Sequence, residues 1–426
     1  MPENESTRNA PSPSIAPLNK GLGSFHRALS AEEIAHLDWN LLREDLSLPA
    51  AVLYEEKLHH NLNWMRQFIS AYGVKLAPHG KTTMAPRLFA LQLESGAWGI
   101  TLATAHQTQV AYAHGVRRIL MANQLIGKQN MAIIADMLRD PEFEFYSLVD
   151  SAEQIDQLGA FFSRHGLRIN VLLELGIDGG RAGIRTDAQL QSVLAALARW
   201  PGAIALCGVE LYEGILHDEP AVRAFLERAV KTTHQLISEN RFQRQTVLLS
   251  GAGSAWYDVV AEVFSAAKFN APVEIVLRPG CYLTHDVGNY REAQSRILAN
   301  NPIARRMQSG LVPALHVWAY VQSIPEPARA IVGLGRRDAS FDSGLPVPAL
   351  HYRPGSASPQ TTPSHWVVTK LMDQHAYLEI ESGDDLHVGD MIAFDICHPC
   401  LTFDKWRTLP ILNASYQVVD IIQTYF

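Results

Sequence analysis

Val74-Lys75-Leu76-Ala77-Pro78-His79-Gly80-Lys81-Thr82-Thr83-Met84 is the stretch on which the reading of this chain turns. It reads as a short buried strand, Lys75 to Ala77, stopped by Pro78. Gly80 opens a turn and leaves Lys81 at its mouth. Thr82 or Thr83 can then cap a helix running through Pro86-Arg87-Leu88-Phe89-Ala90-Leu91. A lysine at a strand end is ordinarily a solvated charge. Where the fold holds it in place, it becomes a reactive amine. The rest of the chain decides between the two.

Downstream of this stretch, apolar runs alternate with helical patterns. Strands are expected at Lys75–Ala77, Trp98–Ala103, Arg117–Ala122, Glu144–Val149, Arg168–Glu174, Ile204–Leu211, Thr246–Leu249 and Val273–Leu277. Helices are expected between them at Lys128–Arg139, Ser151–His165, Asp187–Arg199, Glu219–Glu239 and Ala255–Ala267. This alternation predicts α/β architecture with a parallel (β/α)8 TIM-like barrel; a doubly wound open sheet is the alternative. From about Leu311 the helical pattern gives way to short runs at Ala314–Ser323, Ala330–Gly333, Trp366–Met372, Ala376–Ile380 and Met391–Ile396. They predict a C-terminal all-β domain. Upstream, Leu48–Tyr54 reads as a strand that is a candidate member of that domain, followed by an amphipathic helix over Glu55–Tyr72. Ser30-Ala31-Glu32-Glu33-Ile34 reads as a capped helix start. The expected organisation is a disordered tail over 1–20, a barrel over 47–311 and a β domain over 312–426, with 21–46 packing against the β domain.

The 426 residues are 47% hydrophobic and 19% charged, enough to bury large cores. A net charge of -7 argues against nucleic acid or an acidic membrane surface as partner. No apolar run reaches the roughly 18 residues of a membrane span. No secretion signal is read at the N-terminus. The four cysteines, Cys207, Cys281, Cys397 and Cys400, are too few for a disulfide framework. A cytoplasmic protein with reduced thiols is expected.

In a barrel, chemistry gathers where strands end. There lie His79 and Lys81; Asp178 to Gly183 with Arg181; Tyr212-Glu213-Gly214; Ser250-Gly251-Ala252-Gly253-Ser254; and Arg278-Pro279-Gly280-Cys281-Tyr282. Glycine lets backbone N–H groups close on an anion, and Ser254 can cap a helix whose N-terminus favours negative charge. Each glycine turn alone is an ordinary turn. Together, opposite a strand-end lysine, they suggest one ligand with a phosphate at one end and an aldehyde on Lys81 at the other, which describes pyridoxal phosphate. The β domain adds Asp395-Ile396-Cys397-His398-Pro399-Cys400. Cys397 and Cys400 are spaced as a redox dithiol. If the segment stays extended, His398 and Cys400 share one face and suit Zn2+, with open positions left for water or substrate.

Pro78-His79-Gly80-Lys81-Thr82 resembles the Pro-His-x-Lys-Thr motif of fold-type III pyridoxal-phosphate enzymes, the D-serine dehydratase and D-threonine aldolase group. The likeness runs from about Leu48 to Cys400 and includes Tyr212-Glu213-Gly214, the Gly251–Ser254 turn, Arg278 to Tyr282 and His398-x-Cys400. It implies an alanine-racemase-like fold, a head-to-tail homodimer, Lys81 as the catalytic and cofactor-bearing residue, and His398 and Cys400 as zinc ligands, with Mn2+ as the alternative metal. It further implies that Gly251, Gly253, Ser254, Gly280 and Cys281 hold the phosphate. His79, Arg181, Tyr212, Arg278 and Tyr282 are the remaining cofactor contacts. Aldolases of the group tend to have His-x-Asp, so Cys400 points to a D-serine dehydratase that eliminates the β-hydroxyl and yields a keto acid and ammonia. The alternatives are a D-threonine-type aldolase, a D-3-hydroxyaspartate dehydratase, a racemase, and a non-catalytic pyridoxal-phosphate-binding protein. Two positions depart from the family pattern: Gly80 stands where a branched residue such as Val is common, and Thr83-Met84 where a His-Lys pair is usual.

Overall fold

A computed structural model describes residues 14–253 and 256–426. The described residues form two compact units, one of residues 65–81, 89–253 and 256–280, the other of residues 14–64, 82–88 and 281–426.

The first unit is a parallel eight-stranded sheet: Lys75–Leu76, Ile100–Leu102, Arg118–Gln124, Glu144–Val149, Ile169–Leu175, Ile204–Leu211, Val247–Gly251 and Val273–Leu277. Each strand pairs with the next in sequence from the second to the eighth, and the eighth pairs with the first. The circle closes where Trp98 N–H donates to Leu76 O at 2.7 Å and Thr101 N–H to Pro78 O at 2.9 Å. All eight expected strands are present, and the barrel is the architecture rather than the open sheet. Helices Lys128–Met137, Ala152–Arg164, Asp187–Leu197, Glu219–Ser238 and Tyr257–Ala266 return the chain between strands. Thr104, Ser151, Thr186 and Asp218 cap helix starts with side-chain oxygens, which fixes where each strand must stop. Inward-facing Ala77, Leu120, Tyr146, Leu172 and Leu248 fill the barrel. Burying each large apolar side chain contributes about 1.5–3 kcal/mol.

The second unit is a ten-stranded, mostly antiparallel sheet. Its central strand, Leu315–Glu326, is flanked by Ala50–Tyr54 and Met391–Asp395. Val347–Tyr352 and Gln360–Thr361 extend one side; Thr408–Leu412 and Val418–Gln423 extend the other. Arg329–Val332, Ala376–Glu379 and Val367–Leu371 form a smaller wing on the far end of the central strand. The strand Ala50–Tyr54 pairs here, Ala50 opposite Trp318, so the barrel unit does not begin at residue 47. The β unit likewise begins at Cys281 rather than at residue 312. Leu22, Leu29, Ile34, Leu41 and Leu46 join its core beside Trp318 and Met391. Of the stretch expected to be disordered, residues 1–13 lie outside the described residues, whereas Ile15 is buried and pairs with Leu29. Among the described residues no helix is long and apolar enough to cross a membrane.

Candidate functional site

In the barrel unit, Lys81 is exposed on a single 3-10 turn, Gly80–Thr82, just past the first strand. The helix expected to start at Thr82 or Thr83 starts instead at Pro86, after Met84 takes a left-handed φ of 41°. Pro86 favours this, because its fixed φ suits a first helical turn. Gly80 is required by close packing: a Cβ there would lie 2.7 Å from the Phe89 ring and 2.9 Å from Ile100.

Two residues before Lys81, the His79 ring is buried, and its Nδ1 has no partner. Burial, reinforced by the charges of Lys81, Arg278 and Arg181, holds its pKa well below the usual histidine range. It is therefore a neutral imidazole at pH 7. Arg278, at the end of the eighth strand, is only 2% exposed. Its Nε donates to Ser250 Oγ at 3.0 Å, and one terminal nitrogen donates to Glu210 and to Leu211 O at 3.1 Å. Ser250 in turn donates to Val276 O at 2.9 Å. Burial pushes Glu210 up to about 8 against the pull of Arg278, and Glu210 Oε2 is left without a partner. Arg181 is exposed and lies over the Tyr212 ring at 4.9 Å.

The turn after the seventh strand is clamped from the sixth. Buried Glu213 accepts the Ala252 N–H at 3.0 Å, and Ala252 has a left-handed φ of 64°. Gly251 closes the strand, and Gly253 lies flush with Tyr212, whose ring would stand 3.0 Å from a Cβ. Ser254, the expected helix cap, lies outside the described residues. The turn Arg278-Pro279-Gly280 ends this unit, and Cys281 and Tyr282 belong to the other. Tyr282 is buried there.

In the β unit, the segment from Cys397 to Cys400 does not stay extended. The strand stops at Asp395, Pro399 takes a helical φ of -57°, and Cys400 opens a short helix to Phe403. Proline cannot continue the ladder, so the chain turns. The turn still separates the cysteines as expected. Cys397 is buried and its Sγ donates to Leu345 O at 3.2 Å. The His398 and Cys400 side chains hydrogen-bond one another, which pushes the imidazole up to about 9. His398 Nδ1 bonds Asp342 at 2.7 Å. Cys400 Sγ also lies 3.4 Å from Thr82 Oγ1. Among the described residues, no three His, Cys, Asp or Glu side chains converge as a ready-made metal cage; His398 and Cys400 are a pair.

The sequence reading missed Glu210 and Asp342, and it placed Ser250 at a strand end without giving it a role. Glu210 was visible in principle, as a carboxylate inside the otherwise apolar run Ile204–Leu211. Asp342 had no signal, since only folding brings it to a histidine 56 residues away.

The family model for the alanine racemase N-terminal domain matches residues 54–283, and that for a putative serine dehydratase domain matches residues 314–412. D-threonine aldolase of Arthrobacter sp. is 26% identical over 341 residues, 79% of this chain and 80% of its own. D-threo-3-hydroxyaspartate dehydratase of Delftia sp. (strain HT23) is 31% identical over 188 residues, 43% of this chain and 48% of its own. The crystal structure of D-threonine aldolase from Filomicrobium marinum shares the fold with a TM-score of 0.73 at 23% identity, covering 91% of this chain and 97% of that one. The alanine racemase model alone spans more than half of the sequence, and this chain belongs to that family and has its fold.

Proposed function

We propose that this protein is a pyridoxal-phosphate- and zinc-dependent D-serine dehydratase, eliminating the β-hydroxyl of a D-3-hydroxy amino acid to give a keto acid and ammonia. The observation that carries this reading is the pairing of His398 with Cys400, the imidazole tethered to Asp342. Zinc-binding histidines regularly give their second ring nitrogen to a carboxylate, so the donor set fits the metal. A thiolate at position 400, where the aldolases tend to have aspartate, favours elimination over Cα–Cβ cleavage.

The barrel unit fits the cofactor. Lys81 offers an amine at a strand end, His79 Nδ1 and Glu210 Oε2 are buried polar atoms lacking partners, and Gly253 keeps a flat face against Tyr212. His79, Arg181, Tyr212 and Arg278 would flank the ring. Tyr282 is the further candidate for a ring contact, and Gly251, Gly253, Ser254, Gly280 and Cys281 would hold the phosphate end. When bound, pyridoxal phosphate supplies an electron sink for the α-carbon, and zinc supplies a Lewis acid. Lys81 Nζ takes the α-proton from the substrate. Arg278 cannot swing, because Ser250, Glu210 and Leu211 fix its guanidinium. His398 and Cys400 bind at the hydroxyl that departs.

The test is incubation of the protein, supplied with pyridoxal phosphate and zinc, with D-serine. Keto acid and ammonia are followed before and after chelation. Keto acid that vanishes with EDTA and returns with zinc is expected. Glycine plus an aldehyde from D-threonine, without keto acid, would replace the dehydratase with an aldolase.

A further inference from the structure

Spacing in the sequence offers Cys397 and Cys400 as the dithiol, but the β unit pairs the sulfurs otherwise. All four cysteines are free; Cys207 and Cys397 are buried, and Cys281 and Cys400 are partly exposed. Cys397 Sγ is turned to Leu345 O, and a Cβ on Gly344 would stand 3.0 Å from it. Cys400 Sγ faces Cys281 Sγ at 3.9 Å across 119 residues of chain, with Thr82 Oγ1 3.4 Å from the first sulfur and 3.9 Å from the second. The two partly exposed cysteines are therefore also the two whose sulfurs face each other.

We propose that Cys281 and Cys400, not the C-x-x-C pair, are the oxidisable dithiol of this protein, and that joining them withdraws the Cys400 sulfur from metal binding. A disulfide needs a sulfur separation of about 2.05 Å, so joining the pair requires the 3.9 Å gap within the β unit to close. With glutathione disulfide as oxidant, one cysteine thiolate attacks a glutathione sulfur and expels one glutathione thiolate. The second cysteine attacks the mixed disulfide and expels the other. The protein loses two hydrogens and forms one S–S bond, while the oxidant becomes two molecules of glutathione. The sulfur oxidised in this way has no thiolate to give a metal. The consequence for zinc rests on the metal reading above; the dithiol itself does not.

The experiment treats metal-free full-length protein with glutathione disulfide, followed by non-reducing digestion and mass spectrometry. A peptide joining Cys281 to Cys400 is expected, lighter than its two parts by two hydrogens and lost on adding dithiothreitol. It persists in Cys397→Ser and is absent from Cys281→Ser. Pre-loading with zinc suppresses it, and the oxidised protein no longer retains zinc, read with a chromogenic indicator. A Cys397–Cys400 crosslink, or glutathione left on Cys400 beside a free Cys281, overturns the proposal. Mapping of the unmutated protein decides this even where a variant fails to fold. A Cys281–Cys400 crosslink in a protein whose reduced form binds no zinc keeps the dithiol and removes the metal.

Discussion

In the barrel unit, Arg278 is 2% exposed and held by a hydroxyl on the seventh strand and by a carboxylate and a carbonyl on the sixth. In the β unit, His398 is 31% exposed on a loop, and its one carboxylate partner, Asp342, is 36% exposed on another loop. The first arrangement is fixed before any ligand arrives, because strand register sets the position of every partner. The second is a pair of loops whose geometry a bound metal would complete. The proposed cofactor contacts at strand ends and the proposed metal contacts on loops should thus respond differently to mutation. A lesion in the first should remove chemistry, and a lesion in the second should weaken affinity by degrees.

The largest expected effect lies in the barrel unit. Lys81→Ala removes the proposed attachment point and proton acceptor, and turnover should fall by roughly 10^3-fold or more. Visible absorbance of the protein mixed with pyridoxal phosphate should disappear with it. A variant that kept both would sink the assignment of Lys81.

Each unit also buries a histidine whose Nδ1 has no partner, His79 in the barrel unit and His285 in the β unit. Burial holds His285 down at about 4, assisted by Arg291 and opposed by Asp395. The unfolded chain titrates near 6.5, so above that pH both states are neutral and the fold loses nothing. Between about 6.5 and 4 the unfolded state takes up the proton and the native state does not, so stability falls as pH falls. The full loss for this one residue is about 3 kcal/mol. His285→Gln should flatten that part of the acid limb in urea titrations across pH. An unchanged acid limb would show that His285 is protonated in the fold.

Asp342→Ala tests the loop side of the comparison. Removing the carboxylate behind a metal-bound histidine typically weakens metal affinity by about 10–100-fold. Competition with a zinc chelator should show that shift while cofactor absorbance stays as it was. A change in cofactor absorbance with zinc affinity unaltered would reverse the roles assigned to Asp342 and to the strand ends.

What was legible in the sequence follows the same division. The barrel strands could be read because each is a local apolar run between capped helices, and polar residues at their ends were visible as interruptions. The β unit is held by pairings distant in sequence, and proline hides some of its strands. Val347–Tyr352 contains Pro348 and lies next to the sheet edge, and Thr408–Leu412 contains Pro410; neither was expected. Nothing local assigns Ala50–Tyr54 to that sheet rather than to the barrel it precedes. The shared face of His398 and Cys400 required the chain to stay extended past the ladder that ends at Asp395. Pro399 then turned the chain, and the thiol that Cys400 meets, on Cys281, could not be inferred from spacing.

The smallest expected effect concerns the departure at Gly80, where related motifs commonly have a branched residue. The Phe89 ring occupies the space such a side chain would need, its edge 2.7 Å from where a Cβ would sit, with Ile100 at 2.9 Å. Gly80→Val therefore overpacks the turn that presents Lys81, at a cost of about 1–3 kcal/mol. Gly80 carries no left-handed φ, so backbone strain contributes nothing to that figure. Shortening the neighbour should relieve the clash: Gly80→Val with Phe89→Ala should recover part of the loss in melting temperature that either change causes alone. Equal and additive losses in the double variant would mean that the two side chains do not compete for one space, and that glycine at position 80 serves the turn itself.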